Sequence, residues 1–169
     1  VYYYLSKLLK RLYQINIMGN LKQSVLAGLF SIFTIAILTF LTYKTELGIF
    51  LLASFGSSMV LLFGYPESPF AKPKNVFFGH LVTAMVGLII LHFIPLPLYL
   101  MIPLAVGLGV GLMILFNVTH PPAGGNPIIV IIGSVSFDYL LSPVITGSLI
   151  IIISAILINR FVLKKSYPK

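Results

Sequence analysis

From Ser24 to Tyr43 the chain offers no charged side chain, and comparable apolar runs recur at 47–63, 76–94, 98–118 and 140–163. A helix of this kind needs about 20 apolar residues to cross some 30 Å of hydrocarbon, and these runs have that scale. Composition leaves little else open. The 169 residues are 59% hydrophobic and 8% charged, with a mean hydropathy of +1.08, whereas a soluble domain carries about 25% charged residues. The sequence therefore predicts an all-α, polytopic transmembrane bundle. It contains no cysteine, which removes disulfides and thiolate chemistry from consideration. The net charge of +8 reads as a topological bias of membrane loops, not as a nucleic-acid footprint.

In chain order, residues 1–23 read as a basic amphipathic segment lying at the interface. Leu5, Leu8, Leu9 and Leu12 recur at helical spacing among Lys7, Lys10, Arg11 and four tyrosines. Residues 24–163 form one transmembrane domain and 164–169 a basic tail. The first run is too long for a signal-peptide core and is expected to stay attached. Small residues line two later runs: Gly79, Thr83 and Gly87 in one, and Gly107, Gly109 and Gly111 in the next. Such stripes let helices approach closely, within a subunit or between subunits.

Two punctuated stretches interrupt the apolar pattern. The first runs from Gly64 through Ser68-Pro69 to Lys72-Pro73-Lys74-Asn75. The second is Thr119-His120-Pro121-Pro122-Ala123-Gly124-Gly125-Asn126-Pro127. Two prolines remove backbone donors and turn the preceding residues away from helix, so a helix arriving through Gly107–Val118 has to stop. Asn126 is a good N-cap and Pro127 suits a first turn, so a new helix is expected at once. The apolar stretch 127–137 is too short to cross alone. With six crossings, the fifth short, ten of the eleven lysines and arginines fall on one side and Lys44 alone on the other. Both termini then share the cytoplasmic side of a plasma membrane, expected to be bacterial. The break must enter the bilayer, where irregular backbone survives only inside protein or beside a wet cavity.

That geometry suggests a site for an anion at the half-helix end, with amides of Gly124, Gly125 and Asn126 as donors. His120 can add a hydrogen bond or a charge, or can fix the break by bonding a carbonyl. Asn126 can donate to a ligand or cap the helix. His80, one turn into its span, is a polar group at depth and so a candidate for a solute pathway. Thr119, Ser57, Ser58 and Thr83 offer hydroxyls, while Lys72 and Lys74 would attract anions at the entrance. His92 falls near the far interface. A faint echo aligns Val60–Phe63 and the first break with Met113–Phe116 and the second, the pattern of a parallel repeat.

The ordered combination of Thr119-His120-Pro121-Pro122-Ala123-Gly124 with Asn126, Gly56–Phe63, Ser68-Pro69, Ala71-x-Pro73-Lys74-Asn75, Gly79-His80 and Asn159-Arg160 resembles the HPP family of small integral membrane proteins. The likeness covers about Gly48 to Pro168. Members include plastid and cyanobacterial proteins implicated in nitrite transport, so the resemblance implies a membrane transporter or channel for a small inorganic anion, with nitrite foremost. Gly125 departs from the family's usual residue and implies a looser turn.

Enzymatic readings find no support in the sequence. The histidines are too scattered for an H-E-x-x-H site, and Glu46, Glu67 and Asp138 form no pair for acid–base work. No cofactor, metal or nucleic-acid partner is expected. The expected partners are the lipid bilayer, a small anion and a second copy in a homo-oligomer, taken as a dimer. The competing reading is a non-transporting scaffold that assembles through its glycine faces.

Overall fold

The computed structural model describes residues 17–168, and the described residues contain helices and no strand. Helix α1, Ile17–Lys44, is continuous, so residues 17–23 form its first turns; the rest of the basic lead-in lies outside the described residues. Its faces carry exposed Ile32, Phe33 and Phe40, as a helix bathed in lipid should. Next come α2, Ala53–Met59, extended by a wide π turn at Val60–Gly64, and α3, Pro73–Phe93. Helix α4 spans Leu98–Leu115. A 3₁₀ turn at Pro121–Gly125 runs into α5, Asn126–Ile132. The last span, Phe137–Val162, is centred on α6, Thr146–Leu157, and kinks at Ser142, whose backbone is extended.

Four of these pieces are long and apolar enough to cross a membrane, whereas Ala53–Gly64 and Pro121–Ile132 are shorter. The second run therefore differs from its expected extent of 47–63. Gly48 has φ of +122°, a conformation suited to glycine. The Phe50 amide donates 3.0 Å to the Thr42 hydroxyl, and the Ser142 hydroxyl donates to the Ile49 carbonyl. These partners take backbone groups that a helix would need, and winding starts only at Ala53. Helix α4 likewise stops at Leu115 instead of Val118, because Asn117 turns left-handed at φ of 53°. There the Val118 amide closes onto the Met113 carbonyl at 2.9 Å.

Helix α3 is the axis of the bundle and contacts α4, α5 and α6. Its small-residue stripe receives the second break. A β-carbon on Gly79 would lie 2.8 Å from His120 Cβ, and one on Gly87 would lie 2.9 Å from Pro127 Cα. Beyond them His92 Nε2 donates to the Val135 carbonyl at 3.0 Å. The break thus starts about 9 Å along α3, at 1.5 Å per residue, and α5 climbs beside α3 to its far end. The short fifth piece completes a crossing that the break begins inside the bundle, giving six in all.

At the other end, Gln23 donates to the Gly64 carbonyl, Asn159 to the Leu62 carbonyl at 2.9 Å, and Tyr167 to the Ala71 carbonyl at 2.7 Å. These bonds draw Lys22, Lys72, Lys74, Arg160, Lys164 and Lys165 to one end of the bundle, while Lys44 closes α1 at the opposite end. Apolar packing fills the space between, with Phe55, Leu62, Leu88, Val130 and Ile151 fully or nearly fully enclosed. Two features depart from the simplest reading: the Gly107/Gly111 stripe does not pack within the subunit, and the repeat echo is not matched in build. The G-x-x-x-G pair Gly107 and Gly111 packs on nothing within 4 Å, and only Gly109 faces α3, near Thr83. The repeat echo pairs a short helix then a long one (α2, α3) with a long one then a short one (α4, α5), so the two halves do not match in build.

Candidate functional site

Three elements each contribute two polar residues to a single buried cluster. Ser54 and Ser58 are four apart on α2 and share a face, as do His80 and Thr83 on α3. His120 and Asn126 bracket the 3₁₀ turn of the second break. All six are buried, and Ser58, His80, Thr83, His120 and Asn126 have no accessible surface. The cluster lies roughly 10 to 15 Å along α3 at 1.5 Å per residue, near the middle of a crossing.

The hydrogen bonds can be assigned in one direction. Asn126 Nδ2 lies 3.2 Å from the His80 carbonyl, which can only accept, and this fixes the amide's orientation. The same nitrogen donates to His80 Nδ1 at 3.0 Å and to the Thr83 hydroxyl at 3.1 Å. Asn126 Oδ1 accepts from the Ser54 hydroxyl at 2.7 Å. Thr83 passes its own proton to the Gly79 carbonyl at 2.8 Å. With Nδ1 accepting, a neutral His80 carries its proton on Nε2 and donates to Ser58 Oγ at 3.2 Å. His120 Nδ1 donates to the Phe70 carbonyl at 2.8 Å, so a neutral His120 leaves Nε2 bare, and it accepts from the Ser58 hydroxyl at 2.8 Å. The two imidazoles stand 5.0 Å apart between centroids, and the Phe55 ring meets His80 edge-on at 5.0 Å.

Several expected roles change. Asn126 does not cap α5: Gly125 occupies the cap position without a side-chain bond, and the Asn126 amide side chain reaches across to α2 and α3. Nor does the half-helix present free amides to an anion. Pro121 and Pro122 have no N–H, the Ala123 amide donates 2.9 Å to the His120 carbonyl, and the Asn126 amide donates to the Ala123 carbonyl. Gly124 and Gly125 lie within the same 3₁₀ winding, whose amides bond carbonyls three residues back. His120 fixes the break by bonding the Phe70 carbonyl through Nδ1 and joins the cluster through Nε2.

The remaining candidates separate. Ser58 and His80 join the cluster, but Ser57 is exposed on another face of α2. Thr119 is half-buried and turns back to the Met113 carbonyl at 3.4 Å. Pro121 is exposed and Pro122 half-buried, while Lys72 and Lys74 are both exposed at the start of α3. Ser54 and the Phe70 carbonyl belong to the site and were not anticipated; the spacing of Ser54 from Ser58 is the only local sign of the former. Asn75 joins the two breaks, donating to the Pro69 carbonyl at 2.9 Å and the Thr119 carbonyl at 3.2 Å. A cleft of about 740 Å³ opens between α1 and α2 beside Gln23, Gly28 and Gly56, and no cluster residue lines it.

The cluster can bind and relay protons through two imidazoles and a hydroxyl, and can offer hydrogen bonds to a small polar guest. Its ligand set has no carboxylate or thiolate, and among the described residues no group of three or more His, Cys, Asp or Glu could hold a metal ion.

Comparison with known proteins bears on the same residues. A family model described as the HPP transmembrane region matches residues 17–168. Two transmembrane proteins of Dictyostelium discoideum, named as no more than that, are each 36% identical to this chain. One aligns over 125 residues, 70% of this chain and 44% of its own length; the other aligns over 152 residues, 86% and 49%. The chain thus spans slightly under half the length of these curated relatives. They are eukaryotic, and nothing in them supports a bacterial membrane. No solved structure matches the chain.

Proposed function

Since the chain belongs to the HPP transmembrane family, we propose that it moves a small inorganic anion across the membrane, with nitrite the substrate that the family resemblance favours. The observation that carries this reading is the Ser58–His80–His120 cluster, fully enclosed yet near the middle of a lipid-embedded bundle. Polar and ionisable groups are expensive at that depth and mark solute or proton pathways. In this reading the anion is held by side chains at the start of the half-helix: His120, Ser58, His80 and Asn126 supply the hydrogen bonds that replace water. The amides of the 3₁₀ turn stay bonded within that turn and play no part, while the side chains exchange their present partners in the cluster for the anion. Lys72 and Lys74 raise the local anion concentration at the basic end, which faces the cytoplasm by the positive-inside bias. The protein carries out no catalytic step and uses no cofactor.

A second reading has its own observation. Gly107 and Gly111 face outward from α4 with open space above them, among exposed Leu104, Leu108 and Leu115. A second copy's helix fits such a face, and a homodimer built on it serves either a transporter or a scaffold. Flux of nitrite, nitrate, formate and chloride into liposomes holding the purified chain separates the two. Protein-dependent nitrite flux is the expected result. Absence of flux for all four, with a stable complex recovered from native membrane, would establish the scaffold instead.

A further inference from the structure

We propose that the cluster is a site for a single proton at Nε2 of His120, and that this proton is loaded together with one monovalent anion; the second half rests on the transport reading above. In the neutral cluster Ser58 donates to His120 Nε2 at 2.8 Å and accepts from His80 Nε2 at 3.2 Å. The Ser58 hydroxyl has another acceptor within reach, the Ser54 carbonyl one turn earlier at 3.1 Å. A proton arriving on His120 Nε2 turns that atom into a donor. Ser58 Oγ has two lone pairs, so it accepts from both imidazoles and rotates its own hydrogen to Ser54. Every hydrogen bond is kept, and one proton has moved from water to nitrogen.

His80 has no such freedom. A proton on its Nδ1 would point at Asn126 Nδ2, itself a donor at 3.0 Å. Turning the amide over does not help, because Oδ1 would then face the His80 carbonyl at 3.2 Å. The cluster therefore takes up one proton and not two. The 5.0 Å separation of the rings opposes a second charge in any case.

The charge has no fixed counter-ion. The groups facing His120 are His80 from α3, the Ser58 hydroxyl from α2 and the Phe70 carbonyl from the first break. Glu67, Lys72 and Lys74 lie in or beside that break without entering the cluster, and the other two carboxylates, Glu46 and Asp138, are exposed. A buried, uncompensated imidazolium is costly. A monovalent anion beside it removes the net charge, so proton and anion favour each other's binding and cross as a neutral pair.

Nitrogen NMR of the histidine-labelled full chain in phosphatidylcholine bilayers, titrated from mildly alkaline to acidic pH, tests the site. For the two cluster histidines, told apart from His92 by a His92→Gln variant, the expected spectrum has His80 protonated on Nε2 and His120 on Nδ1, then an imidazolium at His120 alone, while His80 stays neutral. Nitrite should make that imidazolium form at an about tenfold lower proton concentration, one pH unit. Reversed tautomers, His80 protonating first, or both together would overturn the site. Nitrite uptake into liposomes should bring in one proton per anion and ignore a potential set with valinomycin; net charge movement would overturn the pairing. Single protonation of His120 with no anion flux would sink the transport reading and leave the proton site standing. Nitrite flux with protonation at His80 would do the reverse.

Discussion

Pro127 lies against Gly87 so closely that a β-carbon on the glycine would sit 2.9 Å from the proline's Cα. The contact is with backbone, which cannot swing aside as a side-chain tip can, so it sets how near α5 lies to α3. Gly87→Ala should therefore push the two helices apart and destabilise the chain by about 1–3 kcal/mol, seen as a lower melting temperature in detergent. Gly107→Ala, which meets nothing within 4 Å in a helix interior, should not lower the monomer's melting temperature and gains helix propensity.

Asn126→Ala removes the acceptor of the Ser54 hydroxyl and the donor to His80 Nδ1 and Thr83. Buried groups left unpaired cost about 1–3 kcal/mol each, so this variant should lose more stability than Ser57→Ala on the exposed face of α2. Thermal unfolding of the two variants side by side measures the difference. Equal stability would mean that the Asn126 amide contributes nothing to the cluster.

His120→Ala should reduce anion flux in liposomes by about tenfold or more, the scale of lost hydrogen bonds to a charged ligand at 1.4 kcal/mol per decade. The folded yield should fall less than the flux, and size-exclusion chromatography gives the control. Unchanged flux would remove His120 from the pathway.

Tyr167→Phe deletes the bond to the Ala71 carbonyl and should cost about 1 kcal/mol, with faster amide exchange in the tail. Burial pushes the Tyr167 phenol up from its ordinary value. The phenol donates only when neutral, so its contribution is complete below a pH of about 10 and fades as the pH rises beyond that. The wild-type chain and the Tyr167→Phe variant should thus converge in stability only under strongly alkaline conditions, as melting temperatures across pH would record.

The helical class, the crossings and the second break are legible in the sequence because they depend on local properties: runs without charge, prolines without N–H groups, residues at helical spacing. His80, Ser58, His120 and Asn126 also emerge as candidates, since each is polar in an apolar setting. Their mutual contacts are not legible. Ser54 resembles any small helix residue until Asn126, far along the chain, accepts its hydroxyl. Asn126 satisfies every local rule for a cap, yet it is drawn away by acceptors on α3 that no local rule contains. The late start of α2 has the same origin, because Thr42 and Ser142 engage the backbone of 49 and 50 from other elements.

Asn75 carries a mechanical consequence. Its one amide nitrogen holds the carbonyls of Pro69 and Thr119 together, so neither proline-rich turn is free to shift without loosening its grip on the other. Any motion that exposes the histidines to water from the lysine-rich end must break this staple together with the His120–Phe70 bond, or carry both turns as a unit.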